Sequence, residues 1–196
     1  LARASRRAGI AYDQDMSTTT KYVYFFGAGR AEGSSVMRNL LGGKGCNLAE
    51  MACLDIPVPP GFTVTTEVCS LYYKEGKQLP AFVKEQVLEA LQWLEGNRGR
   101  KLCDVDKPLL LSVRSGARVS MPGMIDTVLN LGLNDATVEG LAKASGNARF
   151  AWDSYRRFIM MYSDVVLDVH KDHFEHRIDA IKKATGKQLD TDITAD

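Results

Sequence analysis

Residues 109–133 read LLLSVRSGARVSMPGMIDTVLNLGL. The first five, LLLSV, form a short, nearly continuous apolar run, which predicts a buried strand. VLNLGL (128–133) predicts a second strand, and the Gly- and Pro-containing SGARVSMPGMID between them predicts a loop. Arg114 then sits at the C-terminal end of a buried strand, where ligands of α/β folds commonly bind. A guanidinium there can hold phosphate oxygens through two bonds. Tying down the loop is an equally good reading of Arg114. Gly123, between Met121 and Met124, lets the backbone approach a ligand closely. The two methionines read equally well as core filler.

Upstream, YVYFF (22–26) predicts a strand and GAGRAEGSS a loop. GAGRAEG fails as a dinucleotide fingerprint, because Glu32 stands where the third glycine belongs. LLGGKGCN (40–47) fails as a Walker A motif, with Arg38 in place of its first glycine and Gly45 in place of Ser or Thr. It still sets two glycines before Lys44 and one after, at the start of a helix predicted over 45–54 with Leu48, Met51 and Ala52 on one face. Open amides at a helix N-terminus favour an anion, and a lysine adds a charge that reaches a phosphate. The alternative is a flexible turn with a solvated lysine. Pro57, Pro59, Pro60 and Gly61 force an extended turn before a strand at 62–66. Helices are predicted over 67–75 and 81–95, the latter with a stripe of Val83, Val87, Leu91 and Leu94.

The pattern changes at Asn134. NDATVEGLAKASG predicts a capped helix ending at Gly146, and helices follow over 147–162 and 170–184. The expected architecture is therefore α+β (α/β): an extension over 1–21, a mixed α/β subdomain over 22–133 and a helical subdomain over 134–196. HxxHxxH at His170, His173 and His176 does not converge on a metal, since the first and last lie about 120° apart on a helix. It reads as a solvated face. Asp153 and Arg157 are spaced for a surface ion pair, and the sharper reading aims an arginine at a nucleotide.

The 196 residues carry 25 Lys+Arg against 24 Asp+Glu, a net charge of +1. That gives no electrostatic argument for nucleic acid or a membrane surface. No uncharged stretch approaches the ~20 residues of a membrane span. Cys46, Cys53, Cys69 and Cys103 form no CxxC pair and read as reduced, mostly buried thiols of an intracellular protein. The first residue is Leu, and Arg3, Arg6 and Arg7 faintly resemble an organelle transit peptide. Asp13 and Asp15 count against that, and a translation extension before Met16 is the stronger reading. The final LDTDITAD lacks a cap or closing strand, so the chain is expected to be a fragment.

Together FGAGRAEG, LLGGKGCNLAEMA, VPPGFTVTTEVC, KPLLLSVRSGARVSMPGMIDTVLNLGLN and ARFAWDSYRRF resemble the pyruvate, phosphate dikinase family, in that family's order, over about residues 22–162. Water dikinases of the phosphoenolpyruvate synthase type share the GGKG and VRS elements but typically follow VRS with an SATAEDLP-like run. SGARVSMPGMIDT here favours the phosphate dikinases, with Ile125 replacing a usual methionine.

The resemblance implies the N-terminal portion of an ATP-grasp domain. It implies an enzyme that converts ATP, phosphate and pyruvate into AMP, pyrophosphate and phosphoenolpyruvate with Mg²⁺, through a phosphohistidine on a separate swivelling domain. Carried over by motif, Lys44 and Arg114 hold ATP phosphates in the catalytic step. The MPGMID loop, with Gly123, Met124, Asp126 and Thr127, lies over them, and Arg157 is a weaker nucleotide contact. The phosphohistidine motif is absent, and the Mg²⁺ ligands are expected beyond Asp196. This chain alone is therefore expected to bind nucleotide weakly and not to turn over. The full-length protein is expected to be a homodimer without nucleic-acid or membrane partners, in the cytoplasm or an organelle such as the chloroplast. A water dikinase and a non-catalytic nucleotide- or partner-binding protein are the alternatives.

Overall fold

The computed structural model describes residues 20–116 and 127–195. Its architecture is mixed α/β, as expected. Strand β1 (Val23–Gly27) is central in an antiparallel sheet, between β2 (Arg30–Ala31) and β3 (Gly61–Val64). The glycine-rich GAGR is thus a tight hairpin between β1 and β2. Glu32 explains its conformation. Its carboxylate accepts from the Phe25 amide (3.0 Å), from Lys21 (2.8 Å) and from Arg30 (2.6 Å). Arg30 in turn lies over the Phe25 ring at 3.9 Å from its centroid, and Phe25 meets Trp93 edge-on. Burial pushes the Glu32 carboxyl up, but the bonds from Lys21, Phe25 and Arg30 outweigh it and hold the group below its ordinary range.

Helix α1 (Arg38–Cys53) starts earlier than the sequence predicts and is broken at Gly42 (φ 69°, ψ 170°). Its inward face is also different: Leu41, Gly45, Cys46 and Ala49 are buried, while Met51 is exposed and Leu48 and Ala52 are half-buried. The glycines explain the change. A Cβ at Gly45 would strike the Thr63 side chain at 2.7 Å, so the helix lies too close to β3 for a larger residue on that face. Helices α2 (Glu67–Lys74) and α3 (Ala81–Arg98) follow, and α3 ends at Gly99 in the left-handed conformation. In α3, Val83 and Leu94 are buried, with Ala90, while Val87 and Leu91 are half-buried. α1 and α3 pack on β1 and β3.

The apolar run 109–113 is not one buried strand. It splits at Leu110 into β5 (Pro108–Leu109), parallel to β4 (Lys101–Leu102), and β6 (Leu111–Arg114), antiparallel to β7 (Thr127–Leu131). Pro108 and Leu109 are buried, whereas Ser112 and Val113 are exposed. Continuous hydrophobicity serves two different sheets in succession here, instead of one strand with two covered faces. The β6–β7 register slips between Leu111 and Val113, and Asn130 near the slip has φ 60°.

Helix α4 (Thr137–Ser145) begins where the Asn134 side chain accepts from the amides of Ala136 and Thr137, each at 2.9 Å, and ends at Gly146. Helix α5 (Ala148–Val166) is capped by Asn147, whose side chain accepts from the Phe150 amide at 3.0 Å. α5 packs on α4 and β7. Helix α6 (Asp172–Thr185) buries none of its residues. The reading of the cysteines as mostly buried fails. Only Cys46 is buried, and Cys53, Cys69 and Cys103 are exposed, all as free thiols. Cys53 ends α1, Cys69 lies in the first turn of α2 and Cys103 follows β4. No helix among the described residues is long and apolar enough to cross a membrane.

Candidate anion-binding site

The break at Gly42 makes α1 two helical pieces, and Lys44 lies in the first turn of the second. A helix start leaves amides without intrahelical acceptors. The first piece is closed off by another element. Thr66 Oγ1 donates to the Asn39 carbonyl at 2.6 Å, and the Thr66 amide donates to the Leu40 carbonyl at 2.8 Å. In an unbroken helix those carbonyls would take the amides of Gly43 and Lys44. The space beside Gly43 is open, with nothing within 4 Å of where a Cβ would stand.

The Lys44 ammonium is enclosed and finds no hydrogen-bond partner among the described residues. Enclosing a cation without a partner costs roughly several kcal/mol, so such groups are normally paired. An arrangement of this kind suits an anion arriving from outside. Among the described residues, Thr65 Oγ1, on the residue before Thr66, is the other enclosed side-chain polar atom without a partner.

The second predicted element meets the first through backbone. A Cβ on Gly42 would lie 2.5 Å from the Gly116 carbonyl oxygen, so only glycine permits this approach. Gly116 follows Arg114 by two residues, which brings the base of the loop after β6 against the break in α1. Arg114 is exposed at the end of β6 and pairs in register with Thr127, the first residue of β7. Lys44, Arg114 and Thr127 therefore come from segments that meet, although they are far apart in sequence. Gly123, Met124 and Asp126 lie outside the described residues.

Arg157 is engaged elsewhere. Its Nε donates to Asp153 at 2.8 Å, and Arg156 binds the same carboxylate at 2.7 Å. Arg156 also reaches Asp190 at 3.4 Å, and Lys182 binds Asp190 at 2.6 Å. Burial pushes the Asp153 carboxyl up, but the two guanidiniums outweigh it and hold it below the usual range. Asp190 is held low chiefly by its bond from Lys182. Arg149, donating to the carbonyls of Asp190 and Ile193, completes a small cleft of about 190 Å³ with Trp152 and Asp153. Every arginine lining that cleft already has a partner. His170, His173 and His176 are exposed, and no group of three or more His, Cys, Asp or Glu among the described residues is placed to hold a metal ion.

Sequence reasoning singled out Lys44 and Arg114 as candidates but not Gly42, Thr66 or Gly116, the residues through which their segments meet. The glycines carried a visible signal as flanks of the two motifs. Thr66 carried none, because its partners Asn39 and Leu40 lie 27 and 26 positions away.

Residues 38–98 match the family described as "Pyruvate phosphate dikinase, AMP/ATP-binding domain". The chain is 62% identical, over 90% of its length and 20% of the relative's, to pyruvate, phosphate dikinase of Clostridium symbiosum. It is 56% identical over 91% of its length to the chloroplastic pyruvate, phosphate dikinase 1 of Oryza sativa subsp. japonica, covering 19% of it. For the Rhizobium meliloti enzyme of the same name the identity is 55% over 89% of this chain and 20% of the relative. The chain thus spans about one-fifth of the length of these relatives. An identity this high, over nine-tenths of its length, means that the chain belongs to the pyruvate, phosphate dikinase family.

Proposed function

We propose that this chain is the ATP-binding part of a pyruvate, phosphate dikinase, with Lys44 and Arg114 holding the nucleotide phosphates. The observation that carries this reading is the enclosed Lys44 ammonium, without a partner among the described residues, at a restarted helix that packs against the base of the Arg114 loop. Phosphoryl transfer depends mainly on positioning and on neutralising developing charge, and two cations on separate segments supply both. The open amides at the start of the second helical piece add donors for a phosphate oxygen. Thr127, beside Arg114, and the loop residues Gly123, Met124 and Asp126 complete the proposed nucleotide contacts. Arg157 joins them only by giving up its bond to Asp153.

In the complete protein the reaction we propose is ATP, phosphate and pyruvate going to AMP, pyrophosphate and phosphoenolpyruvate, by way of a histidine outside this chain. Magnesium accompanies ATP in that reaction. Among the described residues no group of three or more His, Cys, Asp or Glu is placed to hold it, and the contribution we propose for them is cations and amides to the nucleotide. We place the protein inside the cell, in the cytoplasm or an organelle, as a homodimer in its complete form.

The test is ATP binding to the chain by equilibrium dialysis, beside Lys44→Ala and Arg114→Ala. Binding by the parent that both variants lose supports the reading. Binding unaffected by either variant, or no binding by the parent at millimolar ATP, sinks it.

A further inference from the structure

Thr66 is bound to α1 through two of its own groups. Its hydroxyl donates to the Asn39 carbonyl at 2.6 Å and its amide to the Leu40 carbonyl at 2.8 Å. These are the two carbonyls that a continuous helix would offer to the amides of Gly43 and Lys44. The chain between them and Lys44 leaves the helical path at Gly42, with φ 69° and ψ 170°. Thr66 is itself well anchored. It follows β3, and the preceding Thr65 amide donates to the Tyr22 carbonyl beside β1 at 2.9 Å.

We propose that Thr66 is a positioning residue for the phosphate site: by occupying the Asn39 and Leu40 carbonyls it holds α1 open at Gly42 and leaves the Gly43 and Lys44 amides facing the ligand. The proposal rests on the reading of Lys44 as a phosphate contact, and it extends that reading to a residue that touches no ligand. The physical basis is competition for acceptors. A carbonyl already taken by a short hydroxyl bond has less to offer a helical amide, and that amide stays available to an anion. Gly42 permits the broken conformation, and Thr66 selects it over a continuous helix. The hydroxyl is the tunable half of the clamp, because the amide remains in every variant.

The test compares Thr66→Val, which keeps the shape and removes the donor, with Thr66→Ser, which restores the donor. Two readouts are taken on the 196-residue chain. The first is hydrogen exchange and chemical shift of the Gly43 and Lys44 amides by NMR, without ligand. The second is ATP affinity. Thr66→Val is expected to shift both amides toward helical values, slow their exchange and weaken ATP binding by about tenfold, the worth of one hydrogen bond. Thr66→Ser is expected to return all three to the parent's values. A merely structural threonine would lower the melting temperature without moving these two amides selectively. The proposal is overturned if Thr66→Val leaves the Gly43 and Lys44 amides unchanged, or moves them while ATP affinity stays at the parent's value. If the parent itself fails to bind ATP, the proposed function falls, and the amide readout still decides whether Thr66 holds the helix open.

Discussion

The turn around Lys44 and the stretch of α5 around Arg157 treat their cations in opposite ways. Lys44 is enclosed and has no partner among the described residues. Arg156 and Arg157 are more accessible and share the Asp153 carboxylate, and Arg156 and Lys182 also share Asp190. An enclosed cation left alone lowers the stability of the fold, and that cost is offset only when an anion arrives. Partly exposed pairs satisfy each other and contribute little, about 0–1 kcal/mol each. The contrast separates the turn proposed to take a phosphate from a surface whose charges are already paired. Conformation follows the same division. The first region is built on a glycine that no other residue can replace, and the second on an ordinary, well-capped helix.

The largest effect should come from Lys44. Lys44→Met is expected to weaken ATP binding by at least about a hundredfold, an ion-paired phosphate contact being worth more than a neutral one. The same variant should melt higher than the parent, because it removes an enclosed charge that has no partner among the described residues. Calorimetry and dialysis together check this. A variant that binds poorly and also melts lower would mean that Lys44 is paired in solution and would erase the contrast with Arg157.

Gly42→Ala comes next. The new Cβ meets the Gly116 carbonyl, and the backbone sits at φ 69°. A loss of roughly 2–4 kcal/mol in urea unfolding is expected. Gly43→Ala is the matched control, since its side chain enters open space within a helical segment. It should be neutral or stabilising by up to about 1 kcal/mol. Equal losses at both positions would show that the close approach of Gly42 to Gly116 does not govern stability.

Acid should act on the paired carboxylates. Glu32, Asp153 and Asp190 are all held below the ordinary carboxylate range. Their stabilising contribution is then complete above that range and is lost as pH falls through their lowered values. Melting temperature measured from neutral to acid should decline along that limb, and Glu32→Gln should flatten it. A parent and variant with identical acid limbs would remove Glu32 from the account.

The smallest effect is expected from Arg157→Ala, about 0.3–0.5 kcal/mol in unfolding, with ATP affinity within twofold of the parent. A large loss of ATP affinity there would move Arg157 from the completed surface into the nucleotide site.

Much of this was readable from local pattern. The helices at 67–75, 81–95 and 147–162 follow from apolar spacing and caps, since those signals act within a few residues. The same locality explains the misreadings. LLLSV looked like one buried strand because hydrophobicity does not say which sheet covers each residue, and β5 and β6 divide it. Residue type reads the four cysteines as mostly buried, whereas exposure is settled by what packs over each position, and Cys53, Cys69 and Cys103 are exposed.

The sequence by itself determined the mixed α/β class, the glycine punctuation around Lys44 and the placing of Arg114 at a strand end. Each follows from backbone preference or from spacing along a few residues. Only the tertiary structure decided that the α1 break rests on Thr66, that Gly42 lies against Gly116, and that the Lys44 ammonium has no partner among the described residues while Arg157 has one. Those facts are contacts between segments distant in the chain. Their geometry is set when separate elements pack together, which no local preference encodes.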